Sequence, residues 1–359
     1  NGINDDYILI SENCRRQAGE DRHSRINVAN IKRIEILNGA ASALYGSDAI
    51  GGVINIITDD ARNTVNVSSY THNSDEGRLT ESVNADVNAG KFASYTSYQR
   101  RQAGSWQNNN IDENGYETGR PTSVGFYSNT INQRFVFNAT DKLSFYARGT
   151  YYDNKTRRPQ DATYYAKSKG QFVQKDAYTY NLKHETYTYG AGMKYMINRS
   201  AYIDAEFYSD NYSSDYMYFK KSGSYLPGDR VTRKQVRYYN GNIKGIFRLG
   251  SRNKLSAGVE YVNEGLESES DNIDSRHMYT LAFYAQDEIK LPLNLQVVLG
   301  IRYIYNENFK NYATPNVSLM YKLGGLNLRA AYAAGFRTPT LSQLYATDES
   351  KTSNRYTTG

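Results

Sequence analysis

The sequence has 359 residues and a formal net charge of +6, with Lys and Arg interleaved among Asp and Glu along its whole length. No basic block or recognition-helix pattern occurs, which argues against a nucleic-acid-binding protein. The mean hydropathy is -0.72, and no apolar run approaches the roughly 20 residues that a transmembrane helix needs. The single cysteine, Cys14, permits neither an internal disulfide nor a cysteine metal cluster.

Tyrosine is unusually abundant, with 35 Tyr against 12 Phe and one Trp. Tyr suits twisted sheets, and it also suits the aromatic girdles where membrane barrels meet water. A low mean hydropathy fits such a barrel, because apolar residues alternate with polar ones along each strand. Composition alone leaves two classes open, a Tyr-rich soluble β protein and a membrane barrel.

The first sixty residues predict a small α+β unit. Residues 31–37 alternate in polarity and predict a strand that ends at Asn38-Gly39, and the β-branched residues 53–58 predict a strand buried on both faces. Between them, residues 40–46 are long enough for about one helical turn, and Gly51-Gly52 marks a turn. The chain opens without the charged and apolar regions of a signal peptide. For an exported protein we therefore expect a removed segment or a sequence that is cut.

From residue 63 onward, apolar and polar residues alternate over long runs. In one such run, apolar side chains occupy every second position at Leu295, Val297, Leu299, Ile301, Tyr303 and Tyr305. Period two is the pattern of strands with one apolar face. Similar runs recur up to residue 338 and predict about thirteen strands, whose apolar stretches of about 9–11 residues are long enough to cross the hydrocarbon core.

Short and long connections alternate between these predicted strands. Tight turns are predicted at 89–91, 140–142, 198–199, 250–253, 292 and 324–325. Longer polar links are predicted at 72–78, 103–122, 154–178, 211–234, 266–276 and 307–314. A membrane barrel predicts this alternation because its periplasmic turns are short and its extracellular loops are long, whereas a β-sandwich or propeller does not. Thirteen strands alone would leave an open edge in lipid, so we expect the polypeptide to be incomplete.

Two segments resemble the TonB-dependent receptors of the bacterial outer membrane. Residues 31–58, IKRIEILNGAASALYGSDAIGGVINIIT, are similar to the end of their plug domain, and residues 335–345, GFRTPTLSQLY, to an F-R-x-P box on a barrel strand. The box residues here are Phe336, Arg337 and Pro339. The resemblance implies an all-β transmembrane antiparallel barrel, with about 13 of the roughly 22 strands present, and a partial α+β plug in its lumen. It assigns residues 1–60 to the C-terminal part of the plug and residues 61–359 to the N-terminal part of the barrel.

The resemblance also assigns a plug motif, consisting of Arg33, Glu35, Gly39, Tyr45, Gly46, Gly51, Gly52 and Asn55. Its glycines would allow tight turns and close backbone approach inside a crowded lumen. A compact α+β turn cluster would need the same glycines, so that reading stays open at each single position. Upstream, Cys14 occupies a position where such receptors often have glycine.

In the family, the Arg at the position of Arg33 helps to pair the plug with carboxylates of the barrel wall. The carboxylates on the polar faces of the predicted strands are Asp204, Glu206, Glu260 and Glu288. A desolvated Arg pairs best with a carboxylate in bidentate geometry. We therefore predict that Arg33 anchors the plug, with Glu260 or Glu288 as its partner; the alternative is a solvated lumen charge.

Aromatic and basic residues in the long links and in the plug suggest contacts with a bulky, partly anionic metal chelate. The predicted ligand-binding residues are Arg22, His23, Trp106, Arg120, Tyr164, Tyr165, Tyr216, Tyr218 and His277. The alternative is that loop aromatics pack against each other. Haem would need axial ligands, most often His, and we interpret His23, His72, His184 and His277 as polar surface residues. Haem therefore stays open.

No enzyme motif and no resident cofactor or metal site is predicted. The resemblance implies TonB-dependent uptake of a scarce metal complex across the outer membrane, with a siderophore or haem as the first candidates. Cobalamin or glycan import, or a passive porin or barrel adhesin, are the alternatives. The expected partners are the TonB energy-coupling complex, through a segment outside this sequence, the metal chelate, outer-membrane lipid and, as a further candidate, a surface lipoprotein.

Overall fold

The structure is a computed structural model, and it describes residues 8–20, 22–38, 46, 49, 51–58, 61, 64–75, 77–112, 115–168, 170–309 and 311–346. Two sheets dominate these residues, a small one in the first sixty residues and a large one after them. Among the described residues, no helix combines the length and apolarity needed to cross a membrane. We call the small sheet with its adjoining turns, residues 8–58, the plug segment, and the large sheet the barrel wall.

The plug segment is built on a four-stranded mixed sheet in the order β2-β1-β4-β3. Its strands are β1 (Ile8–Glu12), β2 (Arg15–Arg16), β3 (Ile31–Asn38) and β4 (Gly52–Thr58). Strand β4 lies in the middle, parallel to β1 and antiparallel to β3, and Val53 packs with Leu9 and Ala49 in a small apolar core. The two strands predicted here are confirmed, whereas the helical turn predicted at 40–46 falls almost entirely outside the described residues.

The barrel wall contains thirteen antiparallel strands, as the period-two runs predicted. The strands that follow the plug segment are β5 (Val65–Ser74), β6 (Arg78–Ala89), β7 (Phe92–Ala103), β8 (Gly125–Asn138), β9 (Leu143–Arg157), β10 (Thr163–Ser168), β11 (Gln171–Asp176), β12 (Tyr180–Asn198), β13 (Ala201–Tyr218), β14 (Arg230–Leu249), β15 (Asn253–Ser268), β16 (Ile273–Leu291), β17 (Leu295–Asn306), β18 (Tyr312–Leu323) and β19 (Leu326–Ala333). All belong to the wall except β10 and β11, which form a separate hairpin within a long link.

One face of the wall is apolar and exposed, and the other is polar and largely covered. On β13, for example, Phe207 is exposed while Tyr208 and Asp210 are buried. The plug segment hydrogen-bonds through the polar face to strands as distant in the sheet as β6 and β15. The wall must therefore curve around the plug segment, which lies on its concave, lumen-facing side.

The alternation of short and long connections is confirmed in part, because the strands extend further than predicted and the links at 75–77 and 269–272 are as short as the tight turns. The tight turns fall where expected, but the link predicted at 211–234 shrinks to 219–229, and the one at 266–276 shrinks to 269–272. Strand β14 has 20 residues, about twice what is needed to cross the hydrocarbon core at the usual tilt. The extra residues lie at the end of the wall that carries the long links, where polar side chains on both faces obscure the period-two pattern.

The F-R-x-P box does not lie on a barrel strand, so that prediction is wrong. Strand β19 ends at Ala333, and Phe336–Pro339 follow it in an extended segment whose first ring, Phe336, packs against Tyr312. A short helix, α1 (Leu341–Tyr345), comes next and is closed by a capping box between Thr340 and Gln343. Pro339 has no N–H to donate to a ladder, and the capping residues direct the chain into a helix instead.

Candidate functional site at the plug–barrel interface

Four charged residues of the plug segment, all between positions 15 and 25, form ion pairs with the barrel wall. Arg15 pairs with Glu206 on β13. Arg16 Nη1 lies 2.9 Å from Glu264 Oε1 on β15. On β14, Arg233 pairs with Glu20, and Lys234 Nζ lies 3.6 Å from Glu20 Oε1. The last pair joins Arg25 to Asp210 on β13. The plug segment is thus tied to three adjacent strands by ion pairs, and it supplies the cation in some pairs and the anion in others.

The pair between Arg25 and Asp210 is the most deeply buried of these. The two side chains are 4% and 1% exposed, and Arg25 Nη1 lies 3.2 Å from Asp210 Oδ2. The same carboxylate oxygen accepts the backbone N–H of Ala18 at 2.6 Å, and Thr188 donates to the other oxygen at 2.8 Å. Arg25 also donates to the carbonyl oxygens of Ala18 and Glu20. Buried charges need such hydrogen-bond partners, because an unpaired charge costs several kcal/mol.

Tyr212 occupies the space next to this pair and links it to a histidine. Its hydroxyl lies 2.7 Å from His184 Nδ1, and the Arg25 guanidinium stacks over its ring at 5.2 Å. Gly19 faces the same ring with φ +70°, and a Cβ at that position would lie 2.4 Å from it. Only glycine fits this close approach. The interpretation of His184 as a polar surface residue is wrong, because it is buried at 8% exposure within this network.

On the opposite part of the wall, a neutral network around Asn27 holds the plug segment. Asn27 Oδ1 accepts from Ser82 on β6 at 3.3 Å and from Gln99 on β7 at 2.9 Å. Its amide nitrogen donates to Ser97 at 3.2 Å, and all four side chains are buried. The plug segment is therefore fixed by charges on β13–β15 and by amide and hydroxyl groups on β6–β7.

The predicted anchor at Arg33 is wrong in this structure. Arg33 Nη2 lies 2.7 Å from Glu35 Oε1 of its own strand, and its side chain is 53% exposed. Glu260 pairs instead with Arg302, and Glu288 with Lys254 at 2.8 Å. The physical reason is the sheet order: β3 is the outermost strand of the plug sheet. Its residues 33 and 35 share one face, so they pair with each other.

Other plug-motif residues organise the plug segment itself. Asn55 is 1% exposed; its side-chain oxygen accepts the backbone N–H of Cys14 at 2.7 Å, and its amide donates to Glu35 at 3.2 Å. The hydrogen bonds from Arg33 and Asn55 hold the pKa of Glu35 below its ordinary value. Gly46 is buried, and a Cβ there would come within 3.3 Å of Arg302 on the wall. Gly51 and Gly52 lead into β4, whereas Gly39 and Tyr45 lie outside the described residues.

The predicted ligand-binding residues of the long links mostly contact each other. Arg120 lies over the Tyr164 ring at 3.7 Å, Tyr165 packs on Tyr116 at 5.6 Å, and Tyr216 and Tyr218 both pack on Tyr180. Trp106 forms a β-bridge with Ser123 within its own link. In these two groups the aromatic rings pack against each other in tilted or edge-on contacts, which is the alternative that the sequence left open.

The remaining predicted ligand residues are placed differently. Arg22 lines a cleft of about 200 Å³ between the plug segment, Lys234 and α1. His277 is exposed on the face of β16 opposite the buried Met278. It therefore lies on the outward face of the wall, and its contact with a ligand stays a prediction. The side chain of His23 lies outside the described residues. Among the described residues, no group of three or more His, Cys, Asp or Glu side chains could hold a metal ion.

Sequence reasoning missed the residues that hold the plug segment, namely Arg15, Arg16, Glu20, Arg25 and Asp210. A usable signal was present in part, because Glu206 was placed correctly on the polar face of its strand. The period-two rule gives the side of the sheet that a carboxylate faces. It gives no information on which plug residue lies opposite, because that pairing joins positions about 190 residues apart in the chain.

Comparisons with known proteins agree with this architecture. Residues 38–359 match the family model described as TonB dependent receptor-like, beta-barrel, and residues 1–53 match the TonB-dependent Receptor Plug Domain. The fold is similar to that of a mutant of the ferric enterobactin receptor PfeA from Pseudomonas aeruginosa (TM-score 0.77, 16% identity, covering 93% of this chain and 55% of that chain).

Two further solved structures are similar. One is the siderophore receptor PirA from Acinetobacter baumannii (TM-score 0.74, 17% identity, covering 93% of this chain and 54% of that chain). The other is the copper transporter OprC (TM-score 0.72, 12% identity, covering 95% of this chain and 57% of that chain). The chain thus spans little more than half the length of these proteins, and at such identities the likeness shows the fold. Through its two family matches, which together cover the whole sequence, the chain belongs to the TonB-dependent receptors.

Proposed function

We propose that the protein acts in the bacterial outer membrane in the energy-coupled uptake of a ferric chelate of the siderophore type. The observation that carries this proposal is the plug segment, which lies on the lumen side of the wall and is held there by hydrogen bonds and ion pairs. A passive pore needs an open lumen, and this lumen is occupied. By name, one of the similar structures is a ferric enterobactin receptor and another is a siderophore receptor, which supports an iron chelate as cargo.

The chemistry of the interface suits a plug that is held and then released. Ion pairs and hydrogen bonds lose little when water replaces the partner, because both charges regain solvation. If the interface were apolar, release of the plug segment would instead expose an apolar surface to water in the lumen. A cavity of about 360 Å³ already separates part of the plug segment from the wall, and charged side chains line it: Arg15, Lys32, Arg134, Asp204, Glu206, Lys244 and Glu260. Pulling by the TonB complex from the periplasm would therefore exchange protein partners for water.

The long links offer side chains that suit a bulky anionic chelate. Arg120 and Arg158 each lie over tyrosine rings, and such cation–ring pairs can open to receive an aromatic or carboxylate-rich ligand. The chelate is cargo and not a resident cofactor. Haem is the second candidate, and it is less favoured because His184, a buried histidine at the plug interface, is already engaged by Tyr212.

Uptake of radioactive iron tests the proposal directly. The protein is expressed from its full coding sequence in a strain that lacks its own siderophore receptors, and ferric enterobactin, ferrioxamine and haemin are supplied separately. We expect uptake of at least one siderophore complex, and we expect that loss of TonB or addition of an uncoupler abolishes it. Uptake that continues without TonB would identify a passive pore, and uptake of haemin alone would identify a haem receptor.

A further inference from the structure

The short-turn end of the barrel wall carries a strong excess of positive charge. Within two residues of its six tight turns stand eight cations and one carboxylate, Asp141. Each turn has at least one cation, and the eight are Lys91, Lys142, Arg199, Arg248, Arg252, Lys254, Lys290 and Lys322. The opposite end mixes both signs; the link between β15 and β16, for example, contains Glu269 and Asp271. The excess of positive charge is therefore confined to the short-turn end of the wall.

Most of these cations have no protein partner within the described part of the chain. Lys254 pairs with Glu288, and Lys91 donates to the Ala139 carbonyl oxygen. The other six make no ion pair with a described carboxylate. Seven of the eight side chains are exposed, with only Lys254 partly covered. Their charge is available to a partner outside the chain.

Exposed apolar side chains on the outward face of the wall lie next to the four cations that stand in the turns themselves, Lys91, Lys142, Arg199 and Arg252. They form a collar at the turns that comprises Phe92, Phe137, Ile197, Leu249, Leu291, Leu293, Leu323 and Leu326. Leu293, at the tip of a turn, is 83% exposed. An apolar collar bordered by Lys and Arg is the arrangement of a membrane edge, where long basic side chains reach from hydrocarbon toward the head groups.

The charge is densest at the turn between β14 and β15. A cavity of about 490 Å³ lies there, and its charged lining consists of Arg248, Arg252, Lys254, Lys290 and Glu288. The one carboxylate is taken by Lys254, so the lining keeps a net positive charge. Arg248, Lys254 and Lys290 lie on the lumen face of their strands, which they share with Glu288, whereas Arg252 lies in the turn itself. At the rim of the wall, a lipid phosphate would therefore meet the guanidinium donors of Arg252 first.

We infer that this end of the wall is a binding surface for anionic phospholipid head groups of the periplasmic leaflet. Short turns mark the periplasmic end of a membrane barrel, and the inference uses this orientation but does not depend on the transported ligand. A lipid fits better than an acidic protein, because the cations are distributed one hairpin after another around the perimeter. Successive hairpins are spaced by two strands, roughly 10 Å, which is close to the width of a lipid head group.

The test compares two triple variants of the protein, expressed from its full coding sequence and placed in nanodiscs of phosphatidylethanolamine with phosphatidylglycerol. The rim variant combines Lys91→Gln, Arg199→Gln and Arg252→Gln. The matched control combines Lys167→Gln, Lys175→Gln and Lys221→Gln, which are equally exposed cations in the long links. Spin-labelled lipids measure how strongly each head group is held at the protein surface. We expect the wild-type protein and the control to prefer phosphatidylglycerol, and we expect the rim variant to lose that preference by roughly tenfold.

Salt dependence of the wild-type protein provides a second measurement that needs no variant. Raising the salt from about 0.05 M to about 0.5 M shortens the screening length several-fold and is expected to remove the preference for phosphatidylglycerol. A preference that survives both high salt and the rim substitutions would overturn the inference, as would equal loss in the rim variant and the control. An acidic periplasmic protein that binds the wild-type rim, while the lipid preference stays unchanged in the rim variant, would also overturn it.

Discussion

Two arginines of the plug segment make ion pairs of similar length, yet only one of them holds the plug segment to the wall. Arg25 reaches the wall at Asp210, and both side chains are almost fully buried. Arg33 reaches only Glu35 on its own strand, and both side chains are more than a third exposed. Exposed pairs contribute about 0–1 kcal/mol, whereas removal of one partner from a buried pair costs about 3–5 kcal/mol. The position of each arginine in the sheet, and not its charge, determines its structural role.

The largest expected effect comes from Arg25→Ala. It leaves Asp210 buried with one charged donor removed, and we expect docking of the plug segment to weaken by about 3–5 kcal/mol. Protease protection of the plug segment in detergent measures this docking. Arg33→Ala is the matched control and is expected to change protection by less than about 0.5 kcal/mol. Equal loss of protection in both variants would contradict the comparison.

The next effect in size concerns Gly19, which has φ +70° against the Tyr212 ring. Gly19→Ala adds a Cβ into that ring and also strains the left-handed backbone, so we expect a loss of about 2–4 kcal/mol in plug docking. Gly250→Ala is the control, because its φ is +67° and no atom lies within 4 Å of the added Cβ. It should leave plug docking unchanged, because its backbone strain of about 1–2 kcal/mol falls on a turn of the wall. If Gly250→Ala weakened plug docking as much as Gly19→Ala does, the steric explanation would be wrong.

The contrast between Arg25 and Arg33 also marks what the sequence can predict. The period-two pattern located the wall strands and the face of each residue, because each strand shows the alternation within its own sequence. The same rule placed Glu206 on the lumen side correctly. The pairing of Arg25 with Asp210 depends on how the plug segment sits in the lumen, which no local pattern encodes. Arg33 was chosen on family resemblance alone, and the exposed outer position of β3 is a tertiary property.

Two glutamates of the plug segment should respond to pH in opposite directions. Burial raises the pKa of Glu12 above its ordinary value, whereas hydrogen bonds from Arg33 and Asn55 lower the pKa of Glu35. Ionised Glu12 therefore destabilises the folded plug segment at neutral pH, and this cost disappears as the pH falls through its raised pKa. Glu35 contributes stability above its ordinary pKa and loses it as the pH falls through its lowered pKa.

Glu12→Gln and Glu35→Gln separate these two contributions in urea unfolding of the plug segment at pH 7 and pH 4. At pH 7 we expect Glu12→Gln to be more stable than the wild-type protein and Glu35→Gln to be less stable. The Glu12→Gln difference should shrink at pH 4, because burial raises the pKa of Glu12 and protonation then makes its side chain neutral. The Glu35→Gln difference should shrink less, because the lowered pKa of Glu35 keeps its carboxylate ionised to lower pH. If both substitutions changed the stability in the same direction at pH 7, burial of Glu12 and hydrogen bonding of Glu35 would not have opposite effects.

The smallest expected effect is at Cys14, in the turn between β1 and β2. Its φ is +65°, a conformation that favours glycine, and its backbone N–H donates to Asn55. Cys14→Gly keeps this hydrogen bond and relieves the left-handed strain, although it loses the weak hydrogen bond from the Asn55 amide to Cys14 Sγ and glycine gains freedom in the unfolded chain. We expect a net stabilisation of about 0.5–1 kcal/mol in urea unfolding. Asn13→Gly is the informative control: Asn13 also has positive φ, but its side chain bonds Thr58 twice, so the same substitution should destabilise. If Cys14→Gly destabilised to the same extent, the Cys14 side chain, and not its backbone, would be what the turn needs.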